Sequence, residues 1–245
     1  MAVTPNLRYK LERNLWGFVD LAYPPQCAGC GKYGKAWCDD CSDAVTQVSG
    51  NICQKCGDPI PSGETCPDCV SHPPTYTVMR SYAIFEGVTR KALLRLKYGG
   101  DLGLGFALAW DLAHFVDGLE LAPDLVMPVP LGQERLRKRG FNQAHNLAKP
   151  MANLLGWQYR SDGVRRVRDT RSQVGLGVAE RRENVRDAFL ADPRIVTGKT
   201  VLLVDDTTTT GATLDFTSCS IIKAGATNVY CIAFAKAHTH NEPTI

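Results

Sequence analysis

No apolar run in this chain approaches the roughly 18 residues that a bilayer-spanning helix requires. Its first residues, MAVTPNLRYKLERN, hold no apolar signal core. The sequence therefore predicts no integral membrane segment, no export and a cytoplasmic protein. Net charge is also scarce, at +3 over 245 residues, which neither demands nor excludes an acidic partner. Large apolar side chains are few between Cys27 and Cys69, so that stretch cannot build a core of its own. Internal repeats are absent apart from paired cysteines. A length of 245 residues suits one medium domain or two smaller ones.

What the core-poor stretch does hold is cysteine. Eight of the ten cysteines form four CxxC pairs: Cys27/Cys30, Cys38/Cys41, Cys53/Cys56 and Cys66/Cys69. Without export, metal or redox chemistry is expected here in place of disulfides. A CxxC turn with a neighbouring glycine aims two thiolates at one ion, and two such turns complete a tetrahedron. Four pairs predict two Zn²⁺ ions, most simply paired in sequence order; interleaved pairing and a single occupied site fit the spacing too. An iron–sulfur cluster is the competing reading, and a thioredoxin-type centre would need only one pair. All eight ligands are cysteine, which leaves no position for a catalytic water, so the zinc is expected to be structural.

After the linker Ser71-His-Pro-Pro74 the pattern changes to alternating strand and helix signals. Apolar stretches at 76–85, 125–129, 201–204 and 228–234 read as strands. The stretches 88–98, 104–115, 142–155 (with a kink expected at Pro150) and 212–224 read as helices. The division expected is 1–72 for an N-terminal helix and double zinc ribbon, and 73–245 for an α/β domain built on a parallel sheet. The N-terminal helix carries Leu11, Leu15, Phe18, Val19 and Ala22 on one face.

The α/β part is organised around Val201–Thr213, VLLVDDTTTTGAT. Four aliphatic residues read as a strand buried on both faces. Asp205 and Asp206 then fall at its C-terminal end, the edge where open α/β sheets bind ligands. Thr207 to Gly211 is expected to form a tight loop leading into a helix from Ala212. Backbone N–H groups at such a helix start suit an anion, and the carboxylates suit a diol or a metal. Val201–Thr213 resembles, position by position, the phosphoribosyl-pyrophosphate (PRPP) signature of type I phosphoribosyltransferases. The resemblance implies that Asp205 and Asp206 take ribose hydroxyls. It implies that Thr207, Thr208, Thr209, Thr210, Gly211, Ala212 and Thr213 hold the 5′-phosphate, with Mg²⁺ accompanying PRPP.

Arg135, Arg137, Lys138 and Arg139 crowd ahead of Gly140, between a strand and a helix, and read as a basic loop on the same edge. Beside a phosphate signature, Arg137, Lys138 and Arg139 are candidates for pyrophosphate. The amides of Asn142 and Gln143 suit a phosphate, a base or a helix cap. The arginine-rich stretch Asp169–Phe189 reads as a lid or as a surface helix laced with Glu–Arg pairs. His238 and His240 lie in a frayed tail.

Taken in order, the cysteine-rich segment, LKYGGD, PVP, RKRGFNQ, the TxxQxxL of Thr170–Leu176, RRENV and VLLVDDTTTTGAT are similar to the ComF family. These are phosphoribosyltransferase-like proteins with an N-terminal zinc ribbon, associated with DNA uptake in natural competence. The resemblance implies binding of PRPP or a related ribose phosphate, a place in nucleoside metabolism, and DNA-uptake proteins as partners. Thr209 stands where 6-oxopurine salvage enzymes carry an aspartate, and a hydroxyl cannot serve as a carboxylate base. A single-stranded DNA-binding module is the competing reading, with arginines from Arg165 to Arg186 on phosphates and Tyr98, Phe141 or Trp157 stacking on bases. That role has no use for a diol-binding acid pair, whereas PRPP binding does. A purely structural zinc adaptor leaves the second half of the chain without a role.

Elemental analysis of the purified chain is expected to find close to two zinc ions per molecule; iron with visible charge-transfer absorption would count against this reading.

Overall fold

The run Val201–Val204 is buried on both sides because alternate residues of a strand face opposite layers. In the computed structural model, which describes residues 24–99, 101–168 and 188–237, that run is the centre of a four-stranded parallel sheet. Its strands are β1 (Val78–Ile84), β2 (Leu125–Pro128), β5 (Thr200–Thr208) and β6 (Asn228–Lys236), in the order β1-β6-β5-β2. A separate antiparallel pair joins β3 (Val164–Arg166) to β4 (Phe189–Ala191), a feature too short to show in the sequence pattern. The expected N-terminal helix, most of Asp169–Phe189, Gly100 and the tail histidines lie outside the described residues.

Two apolar layers flank the sheet. On one side Leu202, Val204, Val126, Ile232 and Phe234 pack on helices α3 (Gly87–Tyr98), α4 (Leu102–Asp117) and α6 (Gln143–Leu155). On the other, Val201, Leu203, Met127 and Val229 meet β3, β4, α7 (Pro193–Val196) and α8 (Ala212–Lys223). Helix α6 runs through Pro150. Proline has no N–H, so the Asn146 carbonyl loses its helical donor. A Cβ at Gly105 would sit 2.8 Å from that carbonyl oxygen, so glycine lets α4 close against α6 at this point.

The cysteine segment folds as two ribbons of one design. Cys27 N–H donates to Lys32 O and Gly31 N–H to Cys27 O; Cys53 N–H donates to Asp58 O and Gly57 N–H to Cys53 O. Each ribbon ends in a one-turn helix, α1 (Asp39–Asp43) or α2 (Pro67–Ser71). Together they cover the open edge of β1. Ile84 N–H donates to Thr46 O at 2.8 Å, Val48 N–H to Tyr82 O at 3.4 Å, and Met79 N–H to Lys55 O at 2.7 Å.

The ribbons dock on opposite layers. Cys27, Trp37 and Cys41 join the α3–α4–α6 cluster, and Cys53, Cys56, Cys66 and Cys69 join the α8 cluster. The first ribbon is fastened by Asp111 of α4, which accepts from Trp37 Nε1 at 2.9 Å and Ser42 Oγ at 2.8 Å. Burial raises the Asp111 pKa and outweighs these two donors, which lower it. The second is fastened by an ion pair between Asp58 and Lys236, at the end of β6. No helix among the described residues is long and apolar enough to cross a membrane.

Because burial penalises the ionised form of Asp111, its raised pKa favours folding in acid and opposes it as pH rises. Asp111→Asn keeps an acceptor for Trp37 and Ser42 and is expected to gain stability relative to the parent between about pH 4 and pH 7. Asp111→Ala strands both donors and is expected to lose about 1–3 kcal/mol. Denaturant midpoints at the two pH values check both; a parent that gains on Asp111→Asn toward neutral pH would reject the account.

Candidate functional site

β5 continues past the predicted loop start. Thr207 and Thr208 belong to the strand because β6 runs on to Lys236 and pairs with them, Thr207 opposite Ala235 and Thr208 opposite Lys236. The turn is left to Thr209, Thr210 and Gly211. Gly211 has φ +75° and caps α8 without a side chain. A Cβ there would be strained by its φ and would lie 3.3 Å from Tyr76 Oη and from Met79 Cε. Thr210 Oγ1 accepts from Ala212 N–H at 3.4 Å. The result is a short loop of hydroxyls at the positive end of a twelve-residue helix.

Strand alternation sends the two acids to different sides of the sheet. Asp206 turns toward α3 and α6 and is 3% exposed. Its Oδ2 accepts from Lys97 Nζ at 2.7 Å and from Thr207 Oγ1 at 2.8 Å, and its Oδ1 accepts from Gln143 Nε2 at 3.1 Å. Burial acts to raise the Asp206 pKa, but the Lys97 charge and the hydrogen bonds from Lys97, Thr207 and Gln143 outweigh it and hold the carboxyl below the usual range. Asp205 is half-buried and accepts the Asp206 N–H at 2.8 Å. Burial first, and the Asp206 charge second, push its pKa well up. The two sites are unequal: the surroundings favour the ionised form at Asp206 and disfavour it at Asp205.

Lys97 was not singled out by the sequence, although a signal for it exists. Ala92, Leu93 and Leu96 form the buried stripe of α3, and Lys97 follows Leu93 by four residues on that stripe. A lysine there needs a carboxylate partner. Gln143 and Asn142 divide the roles left open for their amides. Asn142 caps α6 by accepting from Ala144 N–H at 3.0 Å, whereas Gln143 reaches Asp206.

The basic run is a helix, α5 (Gln133–Arg139), and not the loop expected from the sequence. QERLRKR consists of good helix formers, and Gly140 at φ +77° ends the turn. No α5 residue is buried. Of the three pyrophosphate candidates, Arg139 joins the acid network by donating to Gln143 Oε1 at 3.0 Å. Lys138 pairs with Glu134 at 2.6 Å, and Arg137 is exposed. The Arg139 guanidinium also lies 5.0 Å from the ring of Tyr98, which is 71% exposed. Phe141 is half-buried, and Trp157 packs into the α3–α4–α6 cluster.

The cysteines gather in sequence order into two tetrads, Cys27/Cys30/Cys38/Cys41 and Cys53/Cys56/Cys66/Cys69, with sulfurs within 4.8 Å of one another in each. Burial alone would raise Cys27 and Cys53, but backbone N–H donors bring them down to about 6 and about 7. Burial pushes Cys41 and Cys56 up. Four crowded sulfurs cannot all ionise unaided, so a cation is needed to hold them as thiolates. An all-sulfur, closed donor set fits structural Zn²⁺. Gly29 belongs to the first site: a Cβ there would lie 2.6 Å from Cys41 Sγ.

Replacing Lys97 with Met leaves Asp206 buried without its cation and is expected to cost about 3 kcal/mol at neutral pH. Asp206 has a lowered pKa, so its contribution is present above the ordinary carboxylate range and is lost as pH falls through the folded value. The gap between parent and Lys97→Met, read from denaturant midpoints, should therefore narrow only in acid; a gap that widens in acid would contradict this.

Residues 18–70 match a double zinc ribbon domain. The DNA utilization protein YhgH of Escherichia coli strain K12 is 31% identical over 204 residues, 80% of this chain and 88% of that protein. Competence protein F of Haemophilus influenzae is 27% identical over 231 residues, 90% of this chain and 94% of that one. Among solved structures, the glutamine PRPP amidotransferase from B. subtilis, complexed with ADP and GMP, is 23% identical with a TM-score of 0.40, over 57% of this chain and 30% of that one. A tetrad-bearing double ribbon and relatives that span most of the chain place it in the ComF family.

Proposed function

We propose that the chain binds PRPP or a related ribose phosphate with Mg²⁺ at the end of β5, in the service of DNA uptake or DNA use. The observation that carries this reading is the acid pair directly ahead of a glycine-capped helix start, with Lys97, Gln143 and Arg139 gathered around it. Asp205 and Asp206 would take the ribose hydroxyls. Asp206 already spends its acceptors on Lys97, Thr207 and Gln143, so Asp205 is the member open to a new donor. Thr209 to Thr213 would receive the 5′-phosphate at the end of α8. Arg137, Lys138 and Arg139 would face pyrophosphate. Mg²⁺ arriving with PRPP would neutralise pyrophosphate charge. If transfer occurs, the protein's share is positioning and stabilisation of the leaving anion as positive charge develops at C1. The names of the relatives motivate the link to DNA.

A second reading has its own observation. The exposed helix α5, with Arg135, Arg137, Lys138 and Arg139 beside the exposed ring of Tyr98, has the make-up of a single-strand grip. Calorimetric titration with PRPP and Mg²⁺, and then with short single-stranded DNA, separates the two. Asp205→Asn replaces one carboxyl oxygen with an amide donor while leaving the Lys97–Asp206 pair in place. It is expected to weaken PRPP at least about tenfold, roughly 1.4 kcal/mol, and to leave DNA affinity unchanged or higher. A parent that fails to bind PRPP in Mg²⁺, or a variant that binds it as well as the parent, sinks the first reading.

A further inference from the structure

The second ribbon lies behind the loop that would hold phosphate. Tyr76 Oη and Met79 Cε lie 3.3 Å from where a Cβ on Gly211 would sit, and both residues share one apolar cluster with Cys53, Cys56, Cys66, Cys69 and Ala212. A small cleft between ribbon and loop is lined by Cys56, Cys69, His72, Tyr76, Thr210 and Ala212. Two further ties run from the ribbon to the loop's flanks. Thr75 N–H, in the linker that leaves the ribbon, donates to Asp215 in the first turn of α8 at 2.7 Å. Asp58 of the ribbon pairs with Lys236, and the next residue, Ala237, donates its N–H to Thr208 O at 2.8 Å, at the start of the loop. Among the described residues the first ribbon has none of these links; it is fastened to α4 through Asp111 on the opposite layer.

We propose that the second cysteine tetrad is the back wall of the anion loop, so that zinc in this tetrad and a phosphate in the loop stabilise one another while the first tetrad stands apart. The inference rests on the preceding reading, in which the loop takes the 5′-phosphate of a ribose phosphate. The physical route is packing. The tetrad sets the place of Tyr76 and Met79, these set the left-handed turn at Gly211, and the turn aims the first N–H groups of α8. Tyr76 is thus a positioning residue. By linkage, a ligand that binds only when the wall is intact must slow the loss of the metal that holds the wall.

The test uses the full zinc-loaded chain and ribose 5-phosphate as probe. Its Kd is first measured by calorimetry. Zinc release to a chromogenic chelator is then followed without the probe and with the probe at a hundred times its Kd. One ion should leave at an unchanged rate. The other should slow at least about tenfold, with a ceiling of about 100-fold set by the factor 1 + [L]/Kd. Cys30→Ser, which damages only the first tetrad, should leave the slowed phase alone. Tyr76→Phe should keep the slowing, and Tyr76→Ala should lose it with the second ion still bound at the outset. Binding of the probe with no slowing of either ion overturns the coupling and leaves the ribose-phosphate reading intact. Equal slowing of both ions also overturns it, as general stabilisation. Absence of probe binding overturns the underlying reading, and this inference with it. The release comparison on the parent chain stands even if the Tyr76→Ala variant fails to fold.

Discussion

A parallel sheet of four strands has two open edges, and an uncovered edge offers unpaired N–H and C=O groups to any passing strand. Here β1 is one of those edges, and the ribbons cover it. Their own backbone supplies partners to Met79, Tyr82 and Ile84. The covering segment has too few apolar side chains to hold itself, so metal takes over; a structural zinc site contributes apparent folding energy on the order of 10 kcal/mol or more. The sheet edge is thus covered by a segment whose two donor sets fit structural zinc. The ribbons and the α/β layers share two apolar clusters, one on each face.

The same alternation that buries Val201 to Val204 on two faces also separates the two acids. Asp206 is drawn into the α3–α6 side and neutralised there by Lys97, with Gln143 and Thr207 completing its acceptors. Asp205 is left to the other side with a raised pKa. Two neighbours of identical chemistry thereby acquire different duties. One anchors the end of β5 to two helices, and the other stays available. Arg139 is connected to this arrangement through Gln143, which links the exposed helix α5 to the buried carboxylate by side chains alone.

The central strand, the acid pair, the helix after Gly211 and the sequential cysteine tetrads were all legible because each has a strong local pattern. An unbroken aliphatic run, a repeated CxxC spacing and a glycine before a helix need no tertiary information. What escaped was set by long-range contact. Thr207 and Thr208 are strand only because β6 reaches them. The basic run is helical, where a charge run beside a glycine suggested a loop. The ion pair of Lys97 and Asp206 joins residues far apart in sequence. Lys97 lies in the LKYGGD motif and on an apolar stripe, but nothing local names its partner. The docking of one ribbon on Asp111 and of the other, through its own Asp58, on Lys236 has no sequence signal, because each contact is made by single polar residues.

The pairing of β1 with β6 brings the first strand of the sheet against the last, Val78 opposite Tyr230. On a ribosome the cysteines emerge before any of this exists. Both tetrads precede Asp111, β5 and β6 in the chain, so the ribbons are made before the groups that fasten them. They then wait, with β1 trailing behind them, for a partner that arrives only near the end of synthesis. Pairing across so much chain is slow, and during that interval β1 is exposed on the side β6 will occupy. The ribbons already shield its other side. Of the two edges of β1, the one the ribbons cover has its partners earliest in the chain, and the one β6 covers has them last.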